Sequence, residues 1–200
     1  MSDPKVNRII NECREIIRGN NIEETGISIE LDHAHIQHVK AFIVGPPGTA
    51  YEGAMFTLNV VFPDDYPFRP PDVRFETNIW HPNISSQTGV ICLDILKDKW
   101  AAALTLRTVL ISIRALLADA EPTDPQDAVV AKQYLANKAM FDKTAAIWAN
   151  HYANGSLELD ADYLASLARM VEMGVAKPAA LRYLSTFGWD LNKAVEAAYE

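Results

Sequence analysis

Cysteine is scarce in this chain. Its 200 residues hold two, Cys13 and Cys92, which excludes a disulfide framework and points to a reducing compartment, cytoplasmic or nuclear. Positive charge is also short: 18 Lys and Arg face 26 Asp and Glu, for a net charge of −8. That argues against nucleic acid, whose binding rests on neutralising phosphates. No apolar run approaches the roughly 20 residues that span a bilayer. The N-terminal stretch is polar and has no signal-peptide core. Neither a membrane nor nucleic acid is therefore expected as a partner. A phosphate-cradling glycine loop is missing as well. The rest of the composition is ordinary for a soluble globular protein, and the length allows one medium domain plus a small one.

What is present centres on Ile79 to Leu96. This stretch has little helical or strand periodicity. His81-Pro82-Asn83 interrupts regular structure, because proline lacks an N–H and restricts the residue before it. Gly89 permits a backbone turn that a side chain would resist. Cys92 follows nine positions after Asn83. A thiol nucleophile and a side-chain amide on one folded-back loop suggest acyl transfer, with the sulfur carrying the acyl group. The alternative is a small packing residue among Ile and Leu. No Lys, Arg or His adjoins Cys92 in sequence, so an ordinary thiol is expected, slow with alkylating agents. No histidine is well placed for a cysteine hydrolase. His81, before a proline, suits a structural hydrogen bond better than a base.

His81-Pro82-Asn83, then Gly89-Val90-Ile91-Cys92-Leu93-Asp94-Ile95-Leu96, then Trp100, resemble the active-site signature of ubiquitin-conjugating enzymes. Tyr66-Pro67-Phe68-Arg69-Pro70-Pro71 is similar to that family too, and the likeness runs from about residue 5 to about 152. The resemblance implies that Cys92 accepts ubiquitin as a thioester from an activating enzyme and that a substrate lysine then attacks it. ATP is used by the activating enzyme, and no cofactor or metal is expected here. A lysine with pKa near 10.4 is mostly protonated at neutral pH, and deprotonating it costs about 4 kcal/mol. Asp124, before Pro125, matches the family's acidic residue that orients this amine. Asp94 is a second acidic candidate, with a solvated loop carboxylate as the alternative. Asn83 has two candidate roles, stabilising the oxyanion or supporting the loop, which sequence does not separate. The resemblance assigns Lys5 and Arg8 to the surface that docks the activating enzyme and ubiquitin ligases. It assigns Phe68, Ala102 and Ala103 to ligase contact; Ala102 stands where many relatives have proline. Two other readings are a non-catalytic ubiquitin-binding adaptor, disfavoured by Cys92 and Asn83 together, and conjugation of another ubiquitin-like modifier.

The remaining chain predicts an α+β fold. Asp3-Pro4 opens a helix with Val6, Ile9, Ile10, Cys13, Ile16 and Ile17 as one buried stripe, ended by Gly19-Asn20-Asn21. Strands are expected at 27–31, 35–44, 55–62 and 73–76, in an antiparallel meander. His33, His35 and His38 lack a nearby Cys or acidic ligand set and read as surface or edge histidines, not a metal site. Tyr66-Pro67 is a candidate cis bond. Helices follow at 104–118, with Thr105 as cap, at 126–137 and at 140–152.

The resemblance thus implies the ubiquitin-conjugating catalytic fold over residues 1–152, with a linker expected at 153–159 and a small three-helix bundle at 160–200. In the bundle Leu164, Leu167, Met170 and Val171 form one face, Met173-Gly174-Val175 a stop, and Asp190 a cap before Leu191, Ala194, Val195 and Ala198. This pattern resembles a ubiquitin-associated (UBA) domain, which implies ubiquitin binding through Met173, Gly174, Val175 and Ala198. Relatives usually have larger apolar residues at Val175 and at Ala197-Ala198. A small packing appendage also fits. The order of the two modules resembles chain-building members of the family, which implies polyubiquitin chains that send client proteins to the proteasome.

Overall fold

The computed structural model describes residues 3–19, 22–32 and 34–200. Asn20, Asn21 and His33, on which expectations fell, lie outside the described residues. Helix α1 spans Pro4–Arg18, and the Asp3 carboxylate accepts from the Lys5 N–H at its start. Ile9, Cys13 and Ile16 are buried, but Ile17 is 43% exposed. It sits about 100° around the helix from Ile16, past the edge of the buried stripe. Burial raises the Cys13 thiol pKa to about 12, so this cysteine packs and stays protonated. A four-residue helix α2, Ile22–Thr25, was not expected.

Four strands follow: β1 Ile27–Leu31, β2 His38–Val44, β3 Met55–Val61 and β4 Asp72–Phe75. They form an antiparallel sheet in the order β1-β2-β3-β4, as a meander requires. Ile27 pairs with Ile43, and Ile43 with Phe56, so one face buries Ile27, Ile43, Phe56 and Leu58 together. The second strand begins at His38, not His35, because Asp32 makes a turn: its carboxylate accepts from the Ala34 N–H at 2.9 Å and meets His35 Nδ1 at 3.0 Å. The Tyr66–Pro67 bond is cis.

Helix α3, Leu106–Ala118, starts two residues later than expected, with Thr105 accepting from the Thr108 N–H as its cap. Leu106, Val109, Leu110 and Ile113 bury its inner face, and Arg114 Nε donates to the Val44 carbonyl at the end of β2. Helices α4, Ala128–Ala136, and α5, Lys138–Ala153, complete this part. Helix α5 ends on the buried Ala153, and in the segment after it the Gly155 N–H donates back to the Ala149 carbonyl at 3.0 Å.

Three helices end the chain: α6 Ala161–Glu172, α7 Lys177–Thr186 and α8 Leu191–Tyr199. Asp160 caps α6 and Asp190 caps α8. Gly174, with φ of 96°, makes the turn after α6. Leu167, Met170, Leu181, Leu184 and Ala194 are buried. Leu164 and Val171, expected on the inner face of α6, are each 40% exposed. Tyr163 takes the inward position instead and stacks on Trp189 at 4.2 Å. The bundle docks on α5. Trp148 Nε1 donates to Ser185 Oγ, and Trp189 Nε1 to Thr144 Oγ1, both at 2.8 Å. One hydrophobic core runs through both parts.

Candidate active site

The irregular stretch from Ile79 to Leu96 is held from beneath. His81 is fully buried. Its Nδ1 accepts from the Asn83 N–H at 3.0 Å, so Nε2–H donates to the Leu116 carbonyl at 2.9 Å. Both bonds suit a neutral ring, and burial pulls its pKa down to about 4. This is the structural role expected for a histidine before proline. The Pro82 carbonyl accepts from the Gln126 and Asp127 N–H groups at 2.9 and 3.0 Å.

Asn83 is 1% exposed. Its Nδ2 donates to the Glu121 carbonyl at 2.8 Å and the Asp124 carbonyl at 3.0 Å, while Oδ1 accepts from the Glu121 N–H at 2.8 Å. Both amide protons are thus engaged by the 121–124 loop. The Asn83 carbonyl also accepts from the Cys92 N–H at 2.8 Å. One residue therefore ties the cysteine to the acidic loop, with its backbone on one side and its side chain on the other. Gly89 closes the turn between them. Its φ is 71°, and a Cβ there would lie 1.9 Å from the Phe75 carbonyl oxygen.

Cys92 is partly exposed. Its Sγ lies 3.5 Å from Asp124 Oδ2 and 3.3 Å from Lys97 Nζ. The sulfur therefore stands between a carboxylate and an ammonium. A free nucleophile, an adjacent acid and a locked loop suit transfer of an acyl group to an amine. The family profile described as ubiquitin-conjugating enzyme matches residues 8–149.

This chain belongs to the ubiquitin-conjugating enzyme family.

Ubiquitin-conjugating enzyme E2-22 kDa of Drosophila melanogaster is 49% identical over 199 residues, covering 100% of each chain. Ubiquitin-conjugating enzyme E2 K of Homo sapiens is 47% identical over 196 residues, covering 98% of each. Among solved structures, the E2 domain of a Toxoplasma gondii ubiquitin conjugating enzyme is 50% identical with a TM-score of 0.69, covering 74% of this chain and 98% of that one. The full-length matches extend through α6, α7 and α8.

The other candidate residues of this ubiquitin-conjugating enzyme fall into three places. Asp94 opens a short 3-10 helix, Asp94–Leu96, and pairs with Lys99 Nζ at 2.7 Å. That hydrogen bond holds its carboxyl below the usual range, and its partners are Lys99 and the Ile95 N–H, not the thiol. The same 3-10 turn carries Lys97 back to Cys92, although no cation adjoins the thiol in sequence. The five-residue spacing was visible in the sequence, but the turn that closes it was not.

The second place is the surface assigned to partners. Phe68 is 81% exposed. Ala102 and Ala103 are also exposed. Trp100 Nε1 donates to the Pro67 carbonyl at 2.8 Å and joins these two loops. Lys5 Nζ lies 3.4 Å from Asp64. Arg8 is engaged within the chain: Nε donates to Glu12 at 2.7 Å and Nη2 to the Leu104 carbonyl at 2.9 Å. Glu12, buried and not anticipated, also accepts from Tyr66 Oη and the Leu106 N–H, each at 2.8 Å. It therefore fastens α1, the Phe68 loop and the start of α3 to one carboxylate. Its spacing with Ile9, Cys13 and Ile16 put it on the buried face, which was a usable signal.

The third place is the tail. Met173 is 47% exposed and Gly174 exposed, whereas Val175 and Ala198 are half-buried and packed against the core. Tyr199 Oη donates to the Met173 carbonyl at 2.6 Å. Among the described residues, no helix is long and apolar enough to cross a membrane.

Proposed function

We propose that this ubiquitin-conjugating enzyme carries ubiquitin as a thioester on Cys92 and passes it to a lysine amine, extending polyubiquitin chains that direct proteins to the proteasome. The observation that carries this reading is the sulfur between Lys97 and Asp124 on a loop locked by Asn83. In the second step the amine nitrogen attacks the thioester carbon and the carbon–sulfur bond breaks. The amine proton leaves towards Asp124 and solvent, and the departing thiolate meets the Lys97 ammonium. Desolvating an ammonium beside a carboxylate both orients it and eases proton loss. Asn83 acts by holding the 121–124 loop, since its amide protons are already bonded there. The activating enzyme and ligases dock on α1, Phe68 and the Ala102-Ala103 loop, with Glu12 and Arg8 bracing that surface from within. The chain-extending role rests on the two-module order and the full-length likeness to E2 K. The bundle 160–200 acts as a UBA-like module through Met173 and Gly174, which are exposed, with Val175 and Ala198 supporting them from inside.

The test mixes the protein with activating enzyme, ATP and ubiquitin. A thiol-sensitive adduct is expected in wild type and none in Cys92→Ala; an adduct that survives Cys92→Ala overturns the reading. Phe68→Ala should load normally yet lose ligase-stimulated discharge.

A further inference from the structure

Helix α4 is held at two points. At its N-terminal end the Gln126 and Asp127 N–H groups donate to the Pro82 carbonyl, and Asp127 Oδ2 accepts from Ser86 N–H at 3.1 Å and Ser86 Oγ at 2.6 Å. The residues just before it, Glu121 and Asp124, are those gripped by Asn83. This end of α4 therefore belongs to the active-site loop. In its second half stands Gln133. Its Oε1 accepts from Trp80 Nε1 at 2.8 Å, and its Nε2 donates to the Ser185 carbonyl at 3.2 Å. Ser185 lies on α7, in the C-terminal bundle, and its Oγ accepts from Trp148 Nε1.

These bonds form one line. Trp80 immediately precedes His81-Pro82-Asn83, and its own carbonyl accepts from Tyr51 Oη at 2.7 Å. Trp80, Trp148 and Ser185 are 1%, 2% and 1% exposed, so the two indole N–H groups have no water to turn to. Gln133 and Ser185 supply their acceptors. A helix is stiff over this length, and six residues span roughly 9 Å at 1.5 Å per residue. A shift at Gln133 therefore tilts the other end of α4, which leads back through Asp127 and Gln126 to Asp124 and the Asn83 contacts.

We infer that Gln133 and Ser185 are positioning residues: through them the C-terminal bundle sets, by way of α4 and Trp80, where Asp124 and Asn83 stand relative to Cys92. The bundle then contributes to the transfer step as a brace, whatever it binds on its outer face. The inference rests on the acyl-transfer reading of Cys92.

The experiment uses the full chain charged with ubiquitin and free lysine as acceptor, with no ligase. Gln133→Met keeps the side-chain length and removes both bonds. Gln133→Glu keeps the acceptor for Trp80 and turns a carboxylate oxygen to the Ser185 carbonyl. Asn192→Ala, exposed on α8, is the control. Gln133→Met should lower kcat for discharge roughly tenfold with lysine KM unchanged, where misplacement by a full 1 Å would cost about a hundredfold. The Asn83 side-chain amide resonance should move as well, although Gln133 does not touch it. Gln133→Glu should keep the Trp80 indole resonance and show an intermediate kcat. Discharge at the wild-type rate with an unmoved Asn83 resonance in Gln133→Met overturns the inference. If that variant fails to fold, a wild-type rate in Gln133→Glu does the same. Wild-type protein that never loads at Cys92 removes the acyl-transfer reading, and this inference with it; normal loading with unaffected discharge removes this inference alone.

Discussion

Asn83→Ala separates two accounts of one side chain. If the amide served the oxyanion, its loss would slow transfer by the 10²–10³ typical of one donor, about 2.7–4 kcal/mol, and leave folding stability alone. The geometry predicts a different pattern. The substitution removes three hydrogen bonds, two to carbonyls of Glu121 and Asp124 and one from the Glu121 N–H. At roughly 0.5–1.5 kcal/mol net for each, the range is about 1.5–4.5 kcal/mol. Glu121 and Asp124 are exposed and regain water, so the low end applies, about 2 kcal/mol. For a protein of this size that lowers Tm by roughly 4–8 °C. Discharge should slow as well, because Asp124 leaves its place 3.5 Å from the sulfur. The assay is a thermal melt beside single-turnover discharge, with amide exchange at Glu121 as a local probe. An Asn83→Ala protein with unchanged Tm and unchanged Glu121 protection, yet slow discharge, would refute the loop-support account and favour the oxyanion one.

Three further outcomes are expected. Glu12→Ala strands the donors of Arg8, Tyr66 and Leu106 in a buried site, so unfolding free energy should drop by about 3 kcal/mol or more in denaturant titrations; a change under about 1 kcal/mol contradicts the shared-carboxylate account. Buried His81 titrates near 4 when folded, against 6.5 for the ordinary ring. The unfolded chain binds the extra proton, so this contribution is complete above pH 6.5 and falls away as pH drops towards 4. The loss approaches about 3 kcal/mol, and a folded-state ring resonance that titrates at its ordinary value would disprove it. Gly89→Ala must place a Cβ on the Phe75 carbonyl at positive φ, so stability should fall by more than about 1 kcal/mol with weakened loading at Cys92; a Tm within a degree of wild type contradicts the turn geometry.

The sequence by itself determined whatever depends on a few neighbouring residues. Asp3-Pro4, Thr105 and Asp190 start helices as local capping dictates, and Ile27, Ile29 and Leu31 alternate as a half-buried strand must. The Asn83–Cys92 loop, its glycine turn and the family it belongs to were legible for the same reason. The apolar pattern does not place the start of β2 at His38 or turn Leu164 and Val171 outward, because a turn carboxylate and a competing tyrosine override it there.

Tertiary structure alone decided the partners of the buried and half-buried polar groups. Asn83 finds Glu121 and Asp124 38 and 41 positions away, Glu12 finds Leu106 94 positions away, and Trp148 finds Ser185 37 positions away. Each pairing exists because packing removed at least one of its two groups from water. Desolvated donors and acceptors must then meet whichever partner the packing supplies, and no periodicity along the chain names that partner.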